Sequence, residues 1–153
     1  AILAETGLEP HRLELEITEG LLLQNSPSVQ ATLRKLRANG IRVALDDFGT
    51  GYSSISYLRA HGVDKLKIDQ SFVAQLGKDL EIDNIVDCIV GLARAMHMKV
   101  TAEGVETLEQ QARLRSIGCN ELQGYLLAKP VSSAKLDELV AGEAPPTQAG
   151  AAA

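Results

Sequence analysis

The chain has 153 residues, of which 45% are hydrophobic and 23% charged, and this composition is typical of one soluble globular domain with an ordinary core. The formal charge of −5 argues against a basic groove for a nucleic-acid polymer, but a small phosphorylated ligand held through metal ions stays compatible with it. No signal peptide or spanning apolar run is evident, and Cys88 and Cys119 form no CxxC pair, so a cytoplasmic domain with buried cysteines is expected.

Start and stop signals predict several helices along the chain. Ser26 and Pro27 stand in the favoured order of N-cap and first helical residue, while Thr107 is a predicted N-cap and Gly118 a predicted stop. Residues 1–7 are interpreted as the end of a helix, and longer helices are predicted at residues 27–38, 82–96 and 108–117. Shorter helical turns are expected after Tyr52, Gln70 and Ser133.

Five short segments alternate polar and apolar residues in the same phase, which predicts β-strands at 14–17, 42–46, 65–68, 99–103 and 121–123. Side chains of a strand alternate between its two faces. One face should therefore carry the polar residues Glu16, Asp46, Lys67, Glu103 and Gln123. Parallel strands covered by helices are usually apolar throughout, so a polar face at the carboxyl ends of the strands indicates a site.

The alternation of strands and helices predicts right-handed βα units in a parallel sheet. Polar residues that converge from five strands favour a closed barrel over an open sheet, which has no shared interior. Because a complete barrel needs about 250 residues, the prediction is an α/β fold forming the C-terminal part, about five βα units, of a TIM-like (β/α)₈ barrel. Residues 1–140 are assigned to it and 141–153, rich in Ala, Pro and Gly, to a disordered tail. The chain is thus expected to be a fragment of a longer protein.

Two adjacent carboxylates, Asp46 and Asp47, end the second strand, and a glycine-containing loop follows them. They could bridge two metal ions, or Asp47 could merely cap the following turn, and spacing alone favours neither interpretation. Glu16 and Glu103 share the phase of Asp46, and hard oxygen ligands suit Mg²⁺ or Mn²⁺ rather than zinc. Lys67 is either within reach of a phosphate or water, or part of a structural ion pair.

Five motifs occur together in a fixed order, namely LEITE (15–19), DDFGTGYSS (46–54), KIDQSFV (67–73), AEGVET (102–107) and QGY (123–125). In this combination the chain closely resembles the EAL-domain phosphodiesterases, which hydrolyse the bacterial messenger cyclic di-GMP. The resemblance implies a barrel with two Mg²⁺ or Mn²⁺ ions. It further implies hydrolysis of cyclic di-GMP to linear pGpG by metal-activated water, without a side-chain nucleophile.

The resemblance also implies a role for individual residues. Glu16 and Asp46 would bind one ion, and Asp46, Asp47 and Glu103 the other. Lys67 and Gln123 would act with Glu103 in catalysis, through contacts to the attacking water, the phosphate and the metal network. The remaining implied residues are the supporting and loop residues Glu19, Glu106, Gly49, Thr50 and Gly51 and the substrate-side residues Asp69, Lys129 and Pro130.

Two departures from the family pattern limit what this chain is expected to do alone. Nothing before Glu14 matches the Glu-Ala-Leu signature, and the asparagine that the family contributes from another strand is also absent. Little activity is therefore expected from the isolated chain. The alternatives are a catalytically inactive module that senses cyclic di-GMP and a scaffold. A homodimer, an upstream sensory or cyclase-like domain and tethering of the parent protein to the inner membrane are compatible with the resemblance.

Overall fold

The computed structural model describes residues 2–23, 26–49, 58 and 62–141. Within them, the strands are β1 (Glu14–Thr18), β2 (Arg42–Phe48), β3 (Lys65–Ile68), β4 (Lys99–Ala102) and β5 (Glu121–Leu122). Every neighbouring pair is parallel, and the order in the sheet is β1-β2-β3-β4-β5. The predicted α/β fold, a parallel sheet from part of a barrel, is confirmed.

Helices follow the strands much as the start and stop signals predict. They are α1 (Ile2–Thr6), α2 (Glu19–Leu23), α3 (Pro27–Ala38), α4 (Gln70–Gln75), α5 (Leu80–Ala95), α6 (Leu108–Ile117) and α7 (Ser133–Val140), with a 3₁₀ turn at Pro10–Arg12. The helix α2 and the 3₁₀ turn were not predicted. The turn expected after Tyr52 and the tail after Ala141 lie outside the described residues.

The helix caps differ in how well the sequence predicts them. At α6 the Thr107 hydroxyl accepts a hydrogen bond from the Gln110 amide at 3.2 Å, and the Gln110 side chain accepts one from the Thr107 amide at 3.0 Å, which completes a capping box. Ser26 stands at the N-cap of α3 as predicted, but its hydroxyl makes no capping bond and instead lies 2.7 Å from the Ser28 hydroxyl. Ser26 thus occupies the predicted N-cap position without making the side-chain hydrogen bond that is typical of an N-cap serine.

The core fills the space between the sheet and the helices. The apolar stripe of α5 (Val86, Ile89, Val90 and Ala93) is buried in it. The strand residues with the phase opposite to the polar face belong to the same core, and these are Leu45, Leu66, Ile68, Val100 and Ala102. Burial of the cysteines was predicted, but Cys88 is exposed and Cys119 only half-buried. Of the described helices, none combines the length and the apolar character needed to cross a bilayer.

Candidate active site

A buried ammonium group gathers carboxylates from three other segments at the carboxyl ends of the strands. Lys67 Nζ on β3 lies 2.7 Å from Glu16 Oε1, 2.9 Å from Asp46 Oδ1 and 2.6 Å from Glu103 Oε1. Its side chain is only 7% exposed. Burial lowers the pKa of Lys67, but hydrogen bonds to Glu103 and Glu16 and the adjacent Asp46 carboxylate outweigh burial and raise the pKa above its ordinary value. The lysine therefore stays charged.

Carboxylate oxygens of three predicted metal ligands form a compact cluster beside this lysine. One oxygen each from Asp46, Asp47 and Glu103 lies within 4.8 Å of the others. Glu16 does not belong to this oxygen cluster and is joined to it through Lys67. The structure thus brings together side chains from four strands or their ends, as the shared phase of these strands predicts.

An irregularity in β2 lets two adjacent aspartates serve one site. In a regular strand Asp46 and Asp47 would point to opposite faces. Here the pairing of β2 with β3 shifts between Leu45 and Phe48, which is a β-bulge, and Asp47 has the left-handed φ of 54°. Bulges redirect side chains, and left-handed backbone in a residue other than glycine is costly and concentrates at functional sites. The bulge explains how both carboxylates reach the cluster, a detail that residue spacing left open.

The charge balance of this cluster fits divalent cations. Three carboxylates (Glu16, Asp46 and Glu103) contact the ammonium of Lys67, and the Asp47 oxygen lies within 4.8 Å of the Asp46 and Glu103 oxygens, so four negative charges adjoin one positive charge. Asp46 Oδ1 is buried, and in the described part of the chain it has no hydrogen-bond partner of acceptable geometry, although the Lys67 ammonium lies close by. A buried carboxylate oxygen needs compensation. An oxygen-only donor set with surplus negative charge is suited to Mg²⁺, Mn²⁺ or Ca²⁺.

A cleft of about 580 Å³ opens directly beside Glu103. Gln123 follows β5 at its wall, and Lys129 Nζ lies 5.8 Å from the centre of the Tyr125 ring, within cation–π range. The cleft is lined by Gln70, Glu103, Gly104, Glu106, Gln123, Gly124, Tyr125, Ala128, Lys129, Pro130 and Val131. Of the residues expected on the substrate side, Lys129 and Pro130 thus line the cleft, while Asp69 does not.

Asp69 caps α4. Its Oδ1 accepts a hydrogen bond from the Ser71 amide at 2.9 Å, and hydrogen bonding to Ser71 lowers the pKa of Asp69 despite the opposing effect of burial. Asp69→Ala is expected to lower the free energy of unfolding by about 1 kcal/mol. Since a lowered carboxyl pKa contributes stability above the unfolded pKa of about 3.9, the difference from wild type should shrink as pH falls through the native value. Urea unfolding between pH 2 and 7 measures it, and Asp69→Asn should retain most of the stability near neutrality.

Two predicted supporting glutamates have different surroundings. Glu19, at the start of α2, is buried, and its Oε1 accepts a hydrogen bond from the Gly49 amide at 3.0 Å. It thereby holds the beginning of the loop after β2, while Thr50 and Gly51 lie outside the described residues. Glu106 is exposed at the cleft.

Gln110 is a supporting residue that was not predicted. Its buried side chain accepts hydrogen bonds from the Glu106 and Thr107 amides at 2.8 and 3.0 Å and donates one to the Val73 carbonyl at 3.0 Å. Gln110 therefore fastens the segment after Glu103 to α4. The Thr-x-x-Gln pattern of a capping box was the available signal.

Gly124 lets the cleft wall approach the neighbouring backbone. A Cβ atom there would lie 2.2 Å from both the Val105 nitrogen and the Val105 oxygen. Gly124→Ala should therefore destabilise the protein by about 1–3 kcal/mol or more through overpacking. Gly91, in the middle of α5, has nothing within 4 Å of the corresponding position, so Gly91→Ala is the matched control and should stabilise by about 0.5–1 kcal/mol. Equal effects of the two substitutions in chemical unfolding would contradict this explanation.

Comparison with known proteins identifies the class of protein to which this fold and this carboxylate cluster belong. The model of the EAL domain matches residues 1–130, and the chain belongs to this family. It is 48% identical over 129 residues to an uncharacterized signaling protein of Caulobacter vibrioides. That match covers 84% of this chain and 16% of the relative. It is also 43% identical over 130 residues to the bifunctional diguanylate cyclase/cyclic di-GMP phosphodiesterase MucR of Pseudomonas aeruginosa, covering 85% of this chain and 19% of MucR. The chain thus spans less than a fifth of either relative.

Solved structures share the fold. The MucR phosphodiesterase in complex with cyclic di-GMP matches with a TM-score of 0.83 and 42% identity, over 88% of this chain and 54% of that one. The EAL domain of Mycobacterium smegmatis DcpA matches with a TM-score of 0.87 and 42% identity, over 95% of this chain and 65% of that one. Klebsiella pneumoniae BlrP1 in a manganese and cyclic di-GMP complex matches with a TM-score of 0.78 and 35% identity, over 84% of this chain and 33% of that one.

Proposed function

We propose that this chain, as part of a complete EAL domain, hydrolyses cyclic di-GMP to linear pGpG with the help of two divalent cations. The observation that carries the proposal is the cluster of Asp46, Asp47 and Glu103 oxygens within 4.8 Å of one another, beside the buried ammonium of Lys67. This cluster adjoins a cleft in which a dinucleotide can bind.

Four carboxylates are proposed to hold the ions. Glu16 and Asp46 would hold one, and Asp46, Asp47 and Glu103 the other, with Mg²⁺ or Mn²⁺ favoured by the oxygen-only donor set. Bound ions of this kind supply a water of lowered pKa and stabilise negative charge on phosphate oxygens, so that no side-chain nucleophile is needed. Asp46 would be the shared ligand, and this is supported by its position in the oxygen cluster with Asp47 and Glu103 and against the same ammonium as Glu16.

The chain's own cations and dipoles would orient the phosphodiester. Lys67 keeps its charge, and once cations neutralise its carboxylate partners one of its three N–H groups would be available to donate to a phosphate oxygen or to the attacking water. Gln123 stands at the cleft wall next to Glu103, where its amide can hydrogen-bond to the same groups. Glu19 supports the arrangement by holding the Gly49 amide, and with it the end of the bulged strand.

The outer part of the cleft offers chemistry that suits a guanine nucleotide. Tyr125 is 61% exposed and presents an aromatic ring on which a base can stack. Lys129 lies close to that ring and can pair with a phosphate, while Pro130 adds an apolar wall. The MucR and BlrP1 complexes contain cyclic di-GMP in related domains, and the proposal extends this ligand to the present chain.

The direct test is turnover by a polypeptide that carries a complete EAL domain around this chain. Incubation with cyclic di-GMP and Mg²⁺ or Mn²⁺ should yield pGpG by chromatography, and excess EDTA should stop the reaction. Tight binding of cyclic di-GMP without any product would instead establish a sensor module. A folded domain that neither binds nor hydrolyses cyclic di-GMP would overturn the proposal. The 153-residue chain alone, assayed in parallel, is expected to show little activity.

A further inference from the structure

We infer that Lys65, Glu14 and Glu121 form a positioning triad that lies directly beneath the candidate metal site and keeps its ligands together. Lys65 Nζ lies 2.8 Å from Glu14 Oε1 and 2.6 Å from Glu121 Oε2. None of these residues lies in the cluster of carboxylate oxygens or lines the cleft beside it. The inference rests on the proposed function, because it concerns how the proposed ligands are held in place.

The triad is the layer of side chains one step below the site. Residues two apart in a strand point to the same face. Each member of the triad precedes a site residue by two positions, and the corresponding pairs are Glu14 with Glu16, Lys65 with Lys67 and Glu121 with Gln123. Gln123 directly follows β5, and its amide continues the pairing with β4 by donating to the Ala102 carbonyl at 2.8 Å. A displacement of one of these strands therefore moves both layers together.

A single ammonium on the central strand touches both outer strands, and this contact requires a curved sheet. Neighbouring strands lie about 4.8 Å apart, so β1 and β5 would be roughly 19 Å apart across a flat five-stranded sheet. Lys65 contacts Glu14 on β1 and Glu121 on β5 at the same time. The two outer strands must therefore bend toward the axis, which also brings Glu16 within reach of Lys67.

The two layers carry different charge balances. In the lower layer Glu121 also accepts a hydrogen bond from the Thr101 hydroxyl at 3.1 Å and lies 3.5 Å from Lys99 Nζ, so two lysines match two glutamates. The upper layer has a surplus of carboxylates over Lys67. The lower layer is thus self-compensated and needs no added cation, whereas the upper layer is left able to take one.

Removal of the Lys65 ammonium would leave two half-buried carboxylates facing each other without the cation they share. The side chains of Glu14 and Glu121 are 25% and 38% exposed, so solvent would compensate only part of the attraction lost with Lys65. Repulsion between Glu14 and Glu121 would push β1 and β5 apart. Glu16 and Gln123 would move away from Asp46 and Glu103 without any change in their own chemistry.

The test compares Lys65→Met and Lys65→Arg with wild type in a polypeptide that carries a complete EAL domain. Mn²⁺ affinity is measured by calorimetry well below the unfolding temperature of each variant, and thermal unfolding and pGpG formation are recorded alongside. Lys65→Met should weaken Mn²⁺ binding by about 10-fold or more, the effect typical of losing a group that orients metal ligands. Lys65→Arg can still donate to both carboxylates and should restore affinity to within about threefold.

Two further variants keep the test decisive. Glu121→Gln preserves shape and the contact with Thr101, so it should fold even if Lys65→Met does not, and it should weaken Mn²⁺ binding by about threefold or more. Lys78 is an exposed lysine outside the sheet, and its Nζ donates to the Ala74 carbonyl at 2.9 Å, so Lys78→Met is the matched control and should bind Mn²⁺ as wild type does.

The outcomes distinguish this inference from the proposed function. Folded variants with lowered melting temperatures but unchanged Mn²⁺ affinity would show that the triad only stabilises the barrel, and the inference would be overturned while the proposed function stood. A wild-type domain that neither binds Mn²⁺ nor hydrolyses cyclic di-GMP would overturn both.

Discussion

Replacement of Glu103 by glutamine in a complete EAL domain is expected to abolish most turnover of cyclic di-GMP and to weaken metal binding. The Glu103 carboxylate both accepts from the Lys67 ammonium at 2.6 Å and offers an oxygen within 4.8 Å of the Asp46 and Asp47 oxygens. Glutamine keeps the shape but loses the charge and one acceptor oxygen. We expect Mn²⁺ affinity to fall by about 10–100-fold and the rate of pGpG formation by roughly 100-fold or more.

Glu109→Gln provides the matched control. Glu109 is an exposed residue of α6, and its replacement should leave both the Mn²⁺ titration and the rate within about twofold of wild type, as is usual for surface substitutions. A Glu103→Gln variant with wild-type Mn²⁺ affinity and turnover would show that the cluster holds no catalytic metal.

Replacement of Lys67 by methionine is expected to separate metal binding from turnover. The ammonium lies within 2.9 Å of three carboxylates, so it competes electrostatically with any cation that they bind. Removing a unit charge about 4 Å from a cation relieves on the order of 1 kcal/mol or more, so Mn²⁺ affinity should rise by about tenfold. Turnover should nevertheless fall by roughly 10²–10⁴-fold, because the group proposed to donate to the phosphate or water would be gone.

The same substitution should make the domain dependent on metal for its stability. Without a cation the carboxylates around position 67 lose their compensating charge, which costs about 3–5 kcal/mol, and Mg²⁺ should restore most of this loss. Thermal unfolding in EDTA and in Mg²⁺ measures the difference, with the exposed Lys78→Met as the control. Parallel losses of Mn²⁺ affinity and turnover in Lys67→Met would mean that the lysine stabilises the ligands rather than competing with the metal.

Much of the fold could be predicted because its signals are local. The alternation of Lys65, Leu66, Lys67 and Ile68 follows from the two-residue period of an extended backbone, and the strand occurs where it was predicted. Thr107 and Gly118 bound α6 as predicted, because caps are satisfied by residues next to the helix end. The short α2 was missed because its stability comes from packing rather than from a distinct pattern.

The candidate site was only partly predictable. The alternation of polar and apolar residues along a strand determines which face of the sheet a side chain lies on, but not where on that face it lies. Glu103 was expected within the fourth strand, yet β4 ends at Ala102, and the Glu103 amide donates to the Ile68 carbonyl at 3.1 Å. Asp69 was expected near the substrate, and its carboxylate is in addition the N-cap of α4, which was not predicted. Both outcomes depend on which backbone groups remain unpaired at the strand ends, which a neighbouring strand or helix decides.

By itself, the sequence determined the order of the strands and helices and the polar phase shared by Glu16, Asp46, Lys67, Glu103 and Gln123, because both depend on backbone periodicity and short motifs. Only the tertiary structure decided that Asp46 and Asp47 reach the same cluster, and that one lysine below the site touches both outer strands. The bulge and the curvature arise from contacts between strands far apart along the chain, and no local pattern of residues encodes those contacts.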